Sequence, residues 1–246
     1  MQPSEISGEI ADELALLGLV PGQYDLIPQD RIGKLIARRL TDAARDIPHF
    51  PLTIHVAMQP LMDARSTYNA RGGAKVSIND YVIAAAARAL VAVPAVNASF
   101  TAHGIARHHH ADIAIAVALE AGLVTPILRS VETLDLAAIG AGVRDLADRA
   151  GRKRLKPDEY NGGSFCVSNL GMFGISSFGS ILNPPQAAIL SVGAVEDRVV
   201  AVDGAAQVAK MMTVTLTCDH RVIDGATGAR WLQAFSAAIA DAAALD

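Results

Sequence analysis

The chain has 246 residues, a net charge of -4 and a pI near 6.0; 51% of it is hydrophobic and only 4% aromatic. That balance offers no basic face for nucleic acid and no uncharged apolar run long enough to span a membrane, and no signal peptide opens the sequence. The two cysteines, Cys166 and Cys218, lie in apolar runs without ligand spacing. We therefore expect neither a disulfide framework nor a metal site, a reduced cytoplasmic setting, and a core large enough for one sizeable domain.

Taken in order, residues 1–28 read as an arm and 29–246 as the domain. A short helix is expected within Glu5 to Leu19, ending near Gly18 ahead of the breaker Pro21-Gly22. Asp30 then caps an amphipathic helix through Leu40, which stops before Ile47-Pro48-His49-Phe50. Leu52 to Met58 alternates like a strand. Pro60 to Asn69 reads as a helix leaving through Arg71-Gly72-Gly73, and Tyr81 to Val93 as an Ala-rich buried helix closed by Pro94. Phe100 to Ile105, Ala111 to Leu119 and Gly122 to Leu128 read as strands, with His108-His109-His110 at a junction. Neighbouring residues on extended chain face opposite ways, which argues against a metal triad there. Leu134 to Leu155 reads as a helix and Ser164 to Asn169 as a strand, followed by a Gly-rich loop from Leu170 to Gly179. Ala187 to Val195 and Val199 to Val202 read as strands, then a turn at Asp203-Gly204, a strand over Met212 to Thr217 and a helix over Ala226 to Ala243. Strands and helices alternate without a strict βαβ rhythm, so the pattern predicts an α+β fold, a mixed sheet with helices on one side.

Cys218-Asp219-His220-Arg221-Val222-Ile223-Asp224-Gly225 crowds His, Arg and Asp onto the turn between the last strand and the last helix. A histidine there suits general base work, because its unperturbed pKa lies near neutrality. Gly225 permits a tight turn. A base of this kind needs a partner for the oxyanion it generates. Ser168, at a strand end before Asn169-Leu170-Gly171, is the best candidate, although Ser-Asn before Gly also builds ordinary turns.

The string from Asp219 to Ala226 resembles the active-site signature of the dihydrolipoamide acyltransferases of 2-oxo acid dehydrogenase complexes. Chloramphenicol acetyltransferases share a shorter form with a second histidine where this chain has Asp219. Further segments resemble that family in order and spacing: Ile47 to Phe50, Val76 to Asp80, Pro94 to Ser99, Gly162 to Gly171 and Asn183 to Leu190. The resemblance implies a chloramphenicol-acetyltransferase-like fold. It also implies acyl transfer between dihydrolipoamide and coenzyme A with His220 as base, Ser168 as oxyanion donor and Asp224 holding the loop through either Arg31 or Arg221. By motif position Arg65, Ser77 and Asn169 fall in the coenzyme pocket; the plainer readings are a solvated helix face for Arg65 and a helix cap for Ser77. A homotrimer or larger assembly, with Ser168 and His220 drawn from different copies, is implied as well. So are dehydrogenase and dihydrolipoyl dehydrogenase partners and a lipoyl group supplied in trans.

Three features depart from the family pattern. No lipoyl domain or swinging linker is legible, the C-terminal Ala240 to Asp246 lacks the family's Pro-containing Leu-rich tail, and Ala118 stands where many members are acidic. Two rival readings follow: transfer to a different acceptor, or a mainly structural core. His49, His55 and both cysteines read as structural.

Overall fold

The computed structural model describes residues 8–119 and 122–246. It divides into two compact units, one ending at Arg39 and the other running from Leu40 to Asp246. The first holds helix α1 (Gly8–Leu16), shorter than the expected helix, whose first residues lie outside those described. Helix α2 (Arg31–Asp46) begins after Asp30, whose carboxylate accepts from the Gly33 N–H at 2.6 Å as an N-cap does. The boundary between units falls inside α2.

From there the chain runs β1 (His49–Ala57), α3 (Gln59–Ala70), α4 (Ile78–Ala92), β2 (Ala98–Thr101), β3 (Gly104–Arg107), β4 (Ile113–Ile115), β5 (Val117–Leu119), β6 (Gly122–Val124) and β7 (Ile127–Leu128). It continues with α5 (Leu136–Gly151), β8 (Phe165–Asn169), β9 (Ala188–Val202), β10 (Ala205–Asp219) and α6 (Gly225–Ala240). Six strands make one mixed sheet in the order β1-β10-β9-β8-β4-β7. β8 runs parallel to both β4 and β9, and the remaining pairs are antiparallel.

The period-2 alternation of strands sorts the sheet into two unlike faces. Val56, Met212, Val214, Leu216, Leu190, Val192, Phe165, Val167, Ile113 and Ile115 point to one side and merge with α4 and α6 into the main core. Trp231 of α6 lies 5.0 Å from Phe165 and 5.5 Å from Phe235, centroid to centroid, at the centre of that layer. The other face is largely polar, buried along β10 and β9 but exposed at Thr53 and His55 of β1. Thr53 and Thr215 hydroxyls meet at 2.9 Å, and Ser191 meets Ser180 at 2.6 Å from the segment that crosses this face. A smaller apolar cluster of Ala114, Ile127, Cys166, Leu182 and Ile189 completes it. The α+β architecture with a mixed sheet and helices against one face is thus as expected.

Several boundaries differ from the sequence reading. Phe100 to Ile105 is a hairpin, β2 pairing with β3 around Ala102-His103. Ala111 to Leu119 divides: β4 enters the main sheet, whereas β5 leaves it to pair with β6. Gly122 to Leu128 divides likewise into β6 and β7. Conversely, Ala188 to Val202 is one long strand. The charges at Glu196, Asp197 and Arg198 do not break it, because they pair within the ribbon, Arg198 with Glu196 at 2.7 Å and Lys210 with Asp197 at 2.8 Å. The turn falls where read, with Asp203 at φ 51° and Gly204 at φ 80°, both left-handed as a tight two-residue hairpin turn requires.

Candidate active site

β10 ends at Asp219, and the chain turns at once. The Val222 and Ile223 N–H groups both donate to the Asp219 carbonyl at 2.9 Å, and the His220 N–H donates to Pro48 O at 3.0 Å, tying the turn to the start of β1. The Asp219 carboxylate is buried and accepts from Arg221 at Nε (2.9 Å), Nη2 (2.8 Å) and the backbone N–H (3.0 Å). Arg221 also lies over the Phe100 ring, 4.0 Å from its centroid. The imidazole of His220 is left exposed, with no hydrogen-bond partner among the described residues; the Phe50 ring stands edge-on to it at 4.8 Å.

Asp224 caps α6. Its Oδ1 accepts from the Thr227 N–H at 2.7 Å, and that bond holds its pKa below the ordinary aspartate value. The expected link from Asp224 to Arg221 is therefore corrected: Arg221 is committed to Asp219, a buried carboxylate in bidentate reach. The Arg31 side chain lies outside the described residues. Gly225 adopts no left-handed conformation and simply opens the helix.

Ser168 sits half-buried near the end of β8, its hydroxyl unpartnered among the described residues. Asn169 beside it is held twice: its Oδ1 accepts from the Gly171 N–H at 2.9 Å, and its Nδ2 donates to Asn79 Oδ1 at 3.0 Å. Asn79 lies in the first turn of α4, which Ser77 caps with a reciprocal Asp80 bond, so the cap reading of Ser77 is right. One residue earlier, Val76 O receives the Arg65 Nε–H at 3.0 Å and the Asn69 amide at 3.0 Å. The terminal nitrogens of Arg65 have no partner among the described residues. Arg65, Ser77, Asn79, Ser168 and Asn169 thus belong to one linked neighbourhood. Asn79 is not among the site residues expected from sequence, although it lies within the Val76 to Asp80 segment.

His220 and Asp224 belong to another. Across the sheet, Ser168 pairs with Ser191 and Ser191 with Thr215, so Ser168 is level with Thr215, while His220 lies five residues on, just past the end of β10. Two strand spacings sideways and five residues lengthwise separate them by roughly 18 Å. A general base works within about 3 Å of its proton, or through one water. One chain cannot bring His220 and Ser168 to the same reacting atom.

Both cysteines are free and buried, and burial pushes each thiol up to about 12, far from a nucleophile's range. His49 and His55 are structural: His49 Nδ1 bonds Ile47 O at 2.8 Å while its Nε2 accepts from the Leu182 N–H at 3.0 Å, and His55 bonds Thr213 at 3.0 Å. His108 turns to Ser99 and His110 to Glu132, so the histidine run does not converge. A cavity of about 300 Å³ is lined by Tyr68, Arg71, Tyr81 and Asp241 among others, and none of the six expected site residues borders it.

The family model of the 2-oxoacid dehydrogenases acyltransferase (catalytic domain) matches residues 21–245. The dihydrolipoyllysine-residue acetyltransferase component of the pyruvate dehydrogenase complex of Rhizobium meliloti is 42% identical over 240 residues, covering 95% of this chain and 54% of the relative. The chain spans between about a third and a half of the length of the curated relatives it matches first. Among solved structures, it is similar to Azotobacter vinelandii dihydrolipoamide acetyltransferase, solved to examine a serine, a histidine and an asparagine in its catalytic mechanism. It is equally similar to the cubic core of the pyruvate dehydrogenase multienzyme complex: each has a TM-score of 0.86 and 30% identity, covering 91% of this chain and 94% of the other. A chloramphenicol acetyltransferase, at TM-score 0.55 and 16% identity over 83% of this chain and 92% of its own, shares the fold.

Proposed function

Because the chain belongs to the 2-oxoacid dehydrogenases acyltransferase (catalytic domain) family, we propose that it moves an acyl group, acetyl before others, between dihydrolipoamide and coenzyme A. One observation carries the reading to particular residues. The serine, histidine and asparagine addressed in the Azotobacter enzyme stand at the same separations as Ser168, His220 and Asp224, with Asp224 in the asparagine's place.

A thiol with pKa near 8.5 is mostly protonated at neutral pH, and the thiolate is the attacking species. His220, as neutral imidazole, takes that proton while the sulfur attacks the thioester carbonyl. The Ser168 hydroxyl donates to the oxyanion that forms. As the carbonyl re-forms, His220 returns the proton to the departing sulfur. Asp224 works at a distance, holding the first turn of α6 and with it the end of the His220 loop. The uncommitted terminal nitrogens of Arg65 and the hydroxyl of Ser77 suit the anionic phosphates of coenzyme A, and Asn169 keeps Ser168 in register.

Since His220 and Ser168 are too far apart within one chain, the site is assembled from two copies, in a homotrimer or an assembly of trimers. Residues 29–246 form the catalytic domain and 1–28 an arm before it. A lipoyl-bearing domain delivers the acyl group in trans, and the dehydrogenase and dihydrolipoyl dehydrogenase components of the complex are the partners. The free buried thiols suit a reducing compartment such as the cytoplasm.

The test is thioester exchange between acetyl-CoA and free dihydrolipoamide. The unmodified chain transfers, and His220→Ala lowers the rate about 1,000-fold. A folded chain that transfers nothing above background rules this reading out and leaves a different acceptor or a structural role.

A further inference from the structure

We propose that Phe50 is a positioning residue for His220, setting the plane in which its imidazole receives and returns the proton; this rests on the acyl-transfer reading of His220. The backbone of the His220 turn is fixed by its bond to Pro48 O and by the bidentate Asp219–Arg221 pair, itself stacked on Phe100. None of these bonds restrains the His220 side chain, whose two torsions stay free to turn. In a serine-protease triad a carboxylate holds the imidazole. Here both carboxylates of the loop are engaged elsewhere, Asp219 with Arg221 and Asp224 with the Thr227 N–H. The group that meets the ring is Phe50, centroids 4.8 Å apart and planes at 70°, the edge-to-face arrangement that aromatic quadrupoles favour.

Phe50 is itself held. It pairs with Cys218 in the β1–β10 ladder, and the preceding residue, His49, is pinned through both ring nitrogens, to Ile47 O and to the Leu182 N–H. The first turn of α6 also lies beside it: a Cβ at Gly225 would stand 3.4 Å from the Phe50 ring, an ordinary van der Waals contact. The ring is thereby held from β1, and it transmits that rigidity to a side chain that has no hydrogen bond of its own among the described residues. A base held in plane spends more of its time in attack geometry.

The experiment compares Phe50→Leu with Phe50→Tyr in the full chain, by steady-state acyl transfer and by NMR of histidine labelled at Cε1. For Phe50→Leu, kcat falls roughly tenfold while KM for both thiols stays within about twofold; Phe50→Tyr keeps kcat near the unmodified value. The His220 resonance, displaced by the neighbouring ring, moves in Phe50→Leu and holds in Phe50→Tyr. In a His220→Ala background Phe50→Leu adds no further loss. An unchanged kcat in Phe50→Leu, equal losses in both variants, or a full additional loss in the His220→Ala background overturns the proposal. If the unmodified chain transfers no acyl group, the acyl-transfer reading falls by itself. The NMR comparison then still decides whether Phe50 holds the ring, and an unmoved His220 resonance in Phe50→Leu shows that it does not.

Discussion

Asp224 illustrates how a side chain in an active-site motif serves the loop rather than the substrate. Its carboxylate, lowered in pKa by the Thr227 N–H, is a helix cap, and the cap stabilises the fold only while it is charged or otherwise able to accept. A folded-state pKa below the unfolded one adds stability that is fully present above the ordinary aspartate pKa, near 3.9, and is lost as pH falls through the lowered value. Asp224→Ala is therefore expected to melt below the unmodified chain at pH 7, with the gap closing as pH approaches 3; Asp224→Asn, which also caps, retains most of the stability. Thermal melts across that range check it, and a gap that stays constant with pH contradicts the assignment. The residue scale was the most legible in the sequence. His220, Ser168 and Asp224 were all singled out from local pattern. What pattern did not give was pairing: the choice of Arg221 for Asp219 over Asp224 depends on which carboxylate is buried within bidentate reach, which only the folded turn decides.

At the scale of elements, most helices and sheet strands are legible in the sequence, and the differences fall at the short strands and at the charged stretch inside β9. β4 and β5 form one unbroken apolar run in sequence, and nothing local marks where the chain stops pairing with β8 and starts pairing with β6. The long β9 reads as two strands because charges look like a break, whereas on this ribbon Arg198 pairs with Glu196 along the strand and Asp197 with Lys210 across to β10. The polar face of the sheet adds a constraint that no periodicity reveals. Ser176 crosses β9 so closely that a Cβ at Gly193 would lie 2.0 Å from its carbonyl oxygen. Gly193→Ala is expected to destabilise the chain by about 3 kcal/mol or more, since backbone rather than a flexible side chain must move. Gly151→Ala, at the end of α5 with nothing within 4 Å, should be neutral or stabilising by up to about 1 kcal/mol. Denaturant unfolding of the two variants separates these outcomes; comparable stabilities would show that the crossing is not as tight as described.

For the whole molecule, the decisive fact is the register of the central sheet. It sets Ser168 and His220 at opposite ends of the strands, roughly 18 Å apart. On the proposed acyl-transfer mechanism the two halves of the chemistry meet only when copies assemble, and the neighbourhood of Arg65, Ser77 and Asn79 travels with the Ser168 half. The measurement that tests it most directly is complementation between inactive copies. His220→Ala and Ser168→Ala chains are co-expressed with different affinity tags, and assemblies carrying both tags are purified and assayed for acetyl transfer. Each variant alone is expected to lose about 100-fold or more, while the mixed assemblies regain a substantial fraction of the unmodified rate. Mixed assemblies as inactive as either parent would contradict a site shared between copies.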